Sequence, residues 1–330
     1  MEKHNKKVKY IAYSDVHLAM WKQFNEGLRR TKNGIDVIKR IKGIAKVLKA
    51  DVLFLGDLFD KEKMITNPLM HETFPQLKKY LDSKVITTYA ISGNHDQSES
   101  NTFDNHSPNY INTLSKIFKG LKCLDYKVQK FDDHALYGIP YITHDLGMVE
   151  YIENLKIDNS KVNILMLHTT MPNVRDTDGR KMDSFMDTND FEKAIGRFDI
   201  VLSGHIHKPM SFKIGKTQVV QIGAPQQQRF TDRNCDMGYW VIYEDFEVKF
   251  IPFTNYPKFV EVEPGQEKPK GKDFYVIAKK KKEDKEVDAE KENFDINLNG
   301  RKLAINYCKE KGIKDKKKKI ALKNVLKNLT

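Results

Sequence analysis

The chain has 330 residues, of which 39% are hydrophobic and 31% are charged, and its formal net charge is +12. The hydrophobic share excludes a chain that is disordered throughout, and no run approaches the roughly 18 apolar residues that span a bilayer. The length predicts two domains, or one large domain with an appendage.

The N-terminus and the cysteines favour a cytoplasmic protein. The lysine-rich residues 1–7 lead into a strand-like segment with no small-residue cleavage site. The cysteines, Cys123, Cys235 and Cys308, are odd in number and far apart, which suggests neither a disulfide framework nor a thiolate zinc site. We therefore expect a soluble, unsecreted protein in a reducing compartment.

The positive charge is concentrated near the C-terminus. Residues 266–330 hold 20 Lys and Arg against 11 Asp and Glu, a net charge of +9, and include lysine runs at 279–282 and 316–319. Such runs are found in solvated, partly disordered tails and in segments that attract nucleic acid or another anionic partner. Charge alone does not decide between these two interpretations.

Residues 8–265 alternate between strand-like and helical patterns. The first three predicted strands are 8–13, 52–55 and 85–91, and a helix between the first two carries an apolar stripe of Ile35, Ile38, Ile41, Ala45 and Leu48. Later strands are predicted at 135–139, 162–168, 198–203, 217–222 and 239–243. Because little helix separates these later strands, we expect a sheet-on-sheet core flanked by helices. A composition break at 264–272 precedes a predicted strand at 274–278 and a helical pattern at 301–329.

Polar side chains able to bind a metal follow five of the predicted strands. They are Asp15 and His17, then Asp57 and Asp60, then Asn94, His95 and Asp96, then His168, and finally His205 and His207. Any one of these motifs could be a turn or a buried histidine. Five in succession at strand ends instead predict a metal site with oxygen and imidazole ligands, suited to Mn²⁺, Fe or Zn²⁺. Two ions about 3.5–4 Å apart would form a clamp for a phosphoryl group.

The series D-x-H, G-D-x-x-D, G-N-H-D, a lone His and G-H-x-H resembles the signature of the calcineurin-like metallophosphoesterases, and the match covers residues 8–253. The resemblance implies a four-layer α/β/β/α sandwich with a small basic C-terminal appendage. It also implies two ion sites that share Asp57 as a bridge. Asp15, His17, Asp57 and His207 would hold the first ion; Asp57, Asn94, His168 and His205 would hold the second.

Two neighbouring residues receive catalytic roles from the same resemblance. The two cations would offset the charge of a phosphodiester and make hydroxide available near neutral pH, while His95 would act as general acid toward the leaving oxygen. Asp96 would orient the His95 ring. Asp60 would be a hydrogen-bond partner of a ligand histidine, although some nuclease relatives carry His at this place. Arg229, Arg175 and Arg180 could contact phosphates, but arginines in loops are more often plain surface residues, and these three are left out of the site.

Three further motifs resemble SbcD-type DNA repair nucleases and their tailed-phage recombination counterparts. They are residues 56–60, residues 138–141, and the segment 222–240 that closes the catalytic region. Thr169-Thr170 and the lysine-dense C-terminus depart from that group. We predict a Mn²⁺-dependent DNA phosphodiesterase, the nuclease subunit of a double-strand-break repair complex with an SMC-like, SbcC-type ATPase. A phosphatase or small-molecule phosphodiesterase of the same fold, and a non-catalytic DNA-binding scaffold, are the alternatives.

The predicted organisation has three parts. Residues 1–257 form the catalytic domain, 258–300 a small capping region, and 301–330 a basic helical segment for DNA or the ATPase. A homodimer is expected, in which helices near 69–81 or 110–118 take part. The protein would work in the cytoplasm, that of the host if a phage encodes it, and exonuclease and endonuclease activity stay open.

Overall fold

The computed structural model describes residues 6–60, 64–97, 108–143, 147–184, 186–263, 266–267, 269 and 274–278. These residues all belong to one compact unit, Met1–Lys279. No helix among them is long and apolar enough to cross a membrane.

Fourteen strands and five α-helices make up the described part of the chain. The helices are α1 (Arg29–Leu48), α2 (Asn67–Leu81), α3 (Tyr110–Ile117), α4 (Met148–Asn154) and α5 (Thr188–Ile195). The strands are β1 (Val8–Tyr13), β2 (Asp51–Phe54), β3 (Thr88–Ala90), β4 (Leu121–Cys123), β5 (Lys127–Lys130), β6 (His134–Ile139), β7 (Val162–His168), β8 (Ile200–Gly204), β9 (Met210–Ile214), β10 (Thr217–Gln221), β11 (Gly238–Tyr243), β12 (Val248–Pro252), β13 (Lys258–Val262) and β14 (Phe274–Ala278).

Two six-stranded sheets carry the fold. The strand order is β12-β11-β1-β2-β3-β4 in the first sheet and β5-β6-β7-β8-β10-β9 in the second. Strands β1 to β4 run parallel to one another, as do β6, β7, β8 and β10. Because the carboxyl ends of parallel neighbours meet at one edge of a sheet, the loops that leave them converge there.

Three separate apolar interfaces show that the fold has four layers. Side chains alternate along each strand, so that in β1 Tyr10 and Ala12 face the other sheet while Ile11 and Tyr13 face helices. In β7, Ile164 and Met166 likewise enter the inter-sheet core, whereas their neighbours pack in the cluster that includes α4 and α5. Helix, sheet, sheet and helix therefore stack in that order, as the resemblance implies.

All eight strands predicted within residues 8–243 are present. The apolar stripe predicted for α1 is wrong at two of its five positions. Leu48 is exposed and Ile35 only half-buried. Gly34 and Val37 are buried instead, because the missing side chain at Gly34 lets the helix approach Leu18 closely. Lys42, which lies outside the predicted stripe, is also buried, and its Nζ donates to Ile86 O at 3.2 Å and Thr88 Oγ1 at 3.0 Å.

Strand β14, predicted from the sequence, pairs in parallel with β13 to form a separate two-stranded sheet. Tyr275 of β14 is buried; its ring lies 4.9 Å from that of Phe259 in β13 and 5.4 Å from that of Phe24. This pair lies in the stretch predicted as the start of the capping region. The helical pattern at 301–329 and both lysine runs lie outside the described residues, so the three-part organisation stays a prediction.

Candidate metal centre

The predicted ligands do meet at one edge of the two sheets. Asp15 and His17 follow β1, Asp57 follows β2, and a short 3-10 turn of residues Asn94–Asp96 follows β3. From the second sheet, His168 ends β7, while His205 and His207 follow β8. The two loops of the first sheet are tied together, since Asp15 N donates to Gly56 O at 3.0 Å and His17 N to Asp57 O at 3.1 Å.

Four of the candidate ligands have left-handed backbone conformations. The φ angles are 55° at Asp15, 51° at His17, 60° at Asp57 and 88° at His205. Non-glycine residues seldom adopt positive φ, and such conformations cluster at functional sites, where the surrounding structure holds them in place. The chain is therefore bent at these points so that side chains leaving different strand ends face a common centre.

Two glycines make room for this convergence. Gly56 has a φ of 93°, and a Cβ there would lie 2.7 Å from His168 Nδ1. A Cβ on Gly93 would collide with the Asp57 carboxylate. Only glycine fits at these two positions while Asp57 and His168 keep their places.

The first ligand group contains Asp15, His17 and His207. The Nε2 atoms of His17 and His207 lie 3.2 Å apart, and Asp15 Oδ1 lies 3.8 Å from His17 Nε2. Two ligands about 2.1 Å from a shared ion, at an angle of about 90–110°, lie about 3.0–3.4 Å apart. The histidine pair therefore has the spacing of two ligands of one ion.

The second ligand group contains Asn94, His168 and His205. Asn94 Oδ1 lies 3.2 Å from His168 Nε2 and 2.9 Å from His205 Nδ1. These distances again suit ligands of a common ion.

Asp57 joins the two groups through a single oxygen. Its Oδ2 lies 3.4 Å from His168 Nε2 in the second group and 3.7 Å from His17 Nε2 in the first. Its other oxygen, Oδ1, accepts from the backbone N–H of His95 at 2.9 Å. The carboxylate is thus oriented with Oδ2 toward both groups, which is the arrangement of a bridging ligand.

The electrostatics of the site fit cations. Asp15 Oδ1 is buried and has no hydrogen-bond partner, an arrangement that costs free energy unless a positive charge lies nearby. Burial lowers the pKa of His17 well below its usual range and that of His205 to about 3, so both rings are neutral and offer a lone pair. Burial would also lower the pKa of His168, but the Asp57 and Asp15 carboxylates raise it to about 9. Metal binding at its Nε2 would therefore release a proton.

Three histidines of this site have an oxygen atom near Nδ1, and at His168 it forms a hydrogen bond that fixes the ring. His168 Nδ1 donates to Leu55 O at 2.5 Å, which leaves Nε2 pointing at the centre. His17 Nδ1 lies 3.6 Å from Asp60 Oδ1 and makes no hydrogen bond with it, so the orienting role of Asp60 stays a prediction. His207 Nδ1 lies 3.5 Å from Asp232 Oδ2. Sequence reasoning did not assign Asp232 to the site, although the motif segment 222–240 contains it.

The structure corrects the role predicted for Asp96. The His95 ring is not held by Asp96: its Nδ1 lies 2.8 Å from the backbone carbonyl of Asp60 and donates to it. The Asp96 carboxylate instead accepts three backbone N–H groups, from Asp57 at 2.7 Å, Leu58 at 3.0 Å and Gly93 at 2.9 Å. Asp96 therefore braces the two loops that present Asp57 and Asn94, because short loops leave backbone donors that need an acceptor.

His95 lies beside the first ligand group. Its ring contacts that of His17 edge to face, with centroids 4.9 Å apart. His17, Asp60 and His95 also lie close enough together to form a third group that could hold a metal ion. The metal content of a His95 variant would distinguish a ligand from a proton donor.

Comparison with known proteins agrees with this geometry. Residues 8–209 match the sequence model of the calcineurin-like phosphoesterases. The chain belongs to this family. The candidate metal centre described above therefore belongs to a member of the calcineurin-like phosphoesterase family.

Among curated proteins, this phosphoesterase is similar to the SbcD subunit of the nuclease SbcCD from Staphylococcus epidermidis, with 26% identity over 262 residues. That match covers 69% of the present chain and 65% of the relative, so the chain spans less than two thirds of the relative's length. It supports the SbcD-like resemblance seen in the motifs.

Two solved structures are similar to this chain. A dimetal phosphatase of Danio rerio is 9% identical, with a TM-score of 0.47 over 72% of this chain and 93% of that one. Protein TT1561 of Thermus thermophilus is 11% identical, with a TM-score of 0.42 over 74% of this chain and 99% of that one. At these values neither neighbour bears on the substrate.

A cavity of about 180 Å³ opens over the phosphoesterase centre. Its lining includes His17, Asp57, His95 and Arg229. Arg229, left out of the site on the sequence alone, is an exposed residue that lines this cavity. The signal for it was its position three residues before Asp232, in a segment already noted for its motifs.

Three consecutive buried glutamines, residues 226–228, support the loop that carries Asp15 and His17. Gln228 Nε2 donates to Val16 O at 3.1 Å, between the ligands Asp15 and His17. Gln227 Oε1 accepts from Phe259 N of β13 at 2.7 Å. This segment was missed from the sequence, because consecutive glutamines carry no metal-ligand or turn signature.

Proposed function

We propose that this phosphoesterase is a Mn²⁺-dependent DNA phosphodiesterase, the nuclease subunit of a recombination and double-strand-break repair complex. The observation that carries the two-ion part is the position of Asp57 Oδ2, within 3.7 Å of ligand nitrogens in both groups. The choice of DNA is supported by the similarity to an SbcCD nuclease subunit and by the short motifs shared with that group.

The ligand sets are those predicted from the sequence. Asp15, His17, Asp57 and His207 would hold one ion, and Asp57, Asn94, His168 and His205 the other. When bound, two divalent ions would offset the charge of the phosphodiester and lower the pKa of an attacking water. Oxygen and imidazole ligands without thiolate suit Mn²⁺, Fe or Zn²⁺, and Mn²⁺ is the ion proposed for both sites.

His95 would protonate the leaving oxygen. Its Nδ1 is occupied by the Asp60 carbonyl, which leaves Nε2 as the atom that carries the proton to the substrate. The backbone N–H of His95 is bound to Asp57 Oδ1 at 2.9 Å, so the ring is held at a fixed distance from the bridging ligand. Such positioning is what general acid catalysis requires.

Partners are proposed from the same relationship. The SbcCD name implies a second subunit, and we propose an SMC-like ATPase of the SbcC type as the partner, together with a homodimer of this chain. The lysine-rich segment beyond residue 279 supplies positive charge for DNA or for that partner. DNA contacts of this kind give affinity without sequence readout and weaken as salt rises.

The decisive assay measures nucleotide release from end-labelled linear duplex DNA with Mn²⁺ and with Mg²⁺. Wild-type protein should degrade the duplex with Mn²⁺, and the His95→Ala variant should lose most of this turnover. Hydrolysis of small phosphoesters without any release from DNA would favour a phosphatase or small-molecule phosphodiesterase. Metal binding without cleavage of any phosphodiester would favour the non-catalytic scaffold.

A further inference from the structure

A second and larger cavity lies beside the metal centre. It has a volume of about 540 Å³ and is lined by residues that include Ala19, Trp21, Arg30, Asp60, Met64 and Leu69. We call it the Trp21 cleft. Sites for small organic groups commonly have volumes of about 300–1,000 Å³ and mostly apolar walls with a few polar groups. The Trp21 cleft has both properties.

Asp60 belongs to the cleft and to the metal centre at once. Its carboxylate lies 3.6 Å from His17 Nδ1, and its carbonyl accepts from His95. A single residue, Asp60, therefore separates the cleft from the ring of His95, the proposed proton donor. This position is where the part of a substrate next to the reacting phosphate would be found.

Trp21 is a prepared stacking surface. The Arg30 guanidinium lies 3.8 Å from the centroid of its ring and is fixed by a hydrogen bond from Nη2 to Gln228 O at 2.7 Å. Arg30 is buried and Trp21 is half-buried. Arg30 covers one face of the indole, and Trp21 itself lines the cleft. A cation behind an aromatic ring also adds attraction for a nearby phosphate.

The remaining walls are apolar and adaptable. Met20 and Met64 are 36% and 65% exposed, whereas Leu69 is buried. Methionine side chains are flexible and polarizable, so they pack against flat groups of different outline. A site that accepts every base needs this property, since sequence-tolerant binding depends on stacking rather than on hydrogen-bond readout.

We propose that the Trp21 cleft binds the nucleobase next to the scissile phosphate by stacking it on Trp21. The proposal rests on the proposed function for its choice of DNA. A nucleobase fits better than a second copy of the chain, because a protein segment seated against Asp60 would crowd the mouth of the metal centre. The fixed Arg30 and the exposed Lys22 also supply charge that complements a nucleic acid.

The test uses the fluorescence of the full chain in EDTA, so that no strand is cut. The chain has two tryptophans, and Trp240 is buried with its Nε1 donating to Ile222 O at 2.9 Å. Quenching by a bound base therefore reports Trp21. The probes are a ten-nucleotide oligothymidylate and the same backbone with abasic sites throughout.

Wild-type protein should bind oligothymidylate about tenfold more tightly than the abasic strand, with quenching only by the former. Both substitutions remove the Trp21 fluorophore, so the affinities of all variants are measured from the anisotropy of fluorescein-labelled probes. Trp21→Ala should lose this preference and Trp21→Phe should keep most of it, which also covers a folding defect in the alanine variant. Val85→Ala truncates a side chain that is 79% exposed and does not line the cleft, and it serves as the control.

Equal affinity for both probes in the wild-type protein, or an unchanged preference in Trp21→Ala, would refute nucleobase binding in the Trp21 cleft. This conclusion would hold even if the protein degrades DNA with Mn²⁺. A Trp21-dependent preference in a protein that never degrades DNA would support the cleft and refute the proposed nuclease. Conversion of a dimer to a monomer by Trp21→Ala, with the base preference intact, would assign the cleft to a second copy and overturn the proposal.

Discussion

Replacement of His95 by alanine should separate chemistry from metal binding. The variant loses the hydrogen bond from Nδ1 to Asp60 O, which contributes about 1 kcal/mol to folding. It keeps the backbone N–H that holds Asp57 Oδ1 at 2.9 Å. Both ligand groups should therefore stay in place, and the protein should bind two metal ions per chain.

Turnover of DNA should nevertheless fall about 10²–10⁴-fold, the usual contribution of a positioned general acid, equivalent to about 3–5 kcal/mol in the activation free energy. The loss should be under about tenfold on bis-p-nitrophenyl phosphate, because nitrophenolate leaves without needing a proton. The assay compares kcat on linear duplex DNA and on this ester, alongside metal content by elemental analysis.

Val85→Ala is the control, since Val85 is 79% exposed and lies outside the ligand groups and the predicted dimer helices, so it should change neither activity. The proton-donor role would be wrong if the His95 variant lost an ion. It would also be wrong if both substrates slowed by the same factor. The first result would instead favour the group of His17, Asp60 and His95 as a metal site.

Three other changes have defined outcomes. Gly93→Ala places a methyl group against the Asp57 carboxylate and should reduce bound metal by more than half, measured by elemental analysis; full occupancy would contradict the packing. Burial lowers the pKa of Lys42 to about 8, so the charged lysine destabilises the folded state below pH 8. As pH rises, Lys42 loses its proton at a lower pH in the folded state than in the unfolded chain, and the destabilisation decreases. Urea unfolding should show wild type gaining about 1.4 kcal/mol over Lys42→Met between pH 7 and pH 9, and no gain would refute the shift. A chain ending at Lys279, which keeps β14, loses 16 Lys and Arg and 9 Asp and Glu; it should still hydrolyse bis-p-nitrophenyl phosphate but bind DNA with a weaker salt dependence, and an identical salt slope would exclude a DNA role for that segment.

Much of the site could be predicted because each ligand follows a strand with a strong local signal. β-branched runs fix the strands, and parallel neighbours bring their carboxyl ends together, so Asp15, Asp57, Asn94, His168 and His205 had to converge once the sheet order was known. The layered core followed from the same runs. Short strands such as β5 and β9 were not predicted, because their stability comes from pairing with β6 and β10 rather than from their own apolar residues.

The supporting contacts were harder to predict, because they join residues far apart in sequence. Asp232 contacts His207 from a separate 3-10 turn. The His95 ring donates to a backbone carbonyl, and because every residue has one, the sequence gives no signal for this contact. Lys42 shows the same limit for packing. Its burial depends on two acceptors, Ile86 O and Thr88 Oγ1, that lie in and just before another strand.

Because Asp57 Oδ2 faces both proposed ligand groups, the ligand positions differ in how many ion sites a substitution affects. A substitution at Asn94 or His207 removes a ligand from one group, so the other group can still fill. A substitution at Asp57 takes a ligand from both at once, since the same Oδ2 faces His17 and His168. A substitution at position 57 therefore disrupts both ion sites together, whereas a substitution at a surrounding ligand position disrupts one ion site and leaves the other.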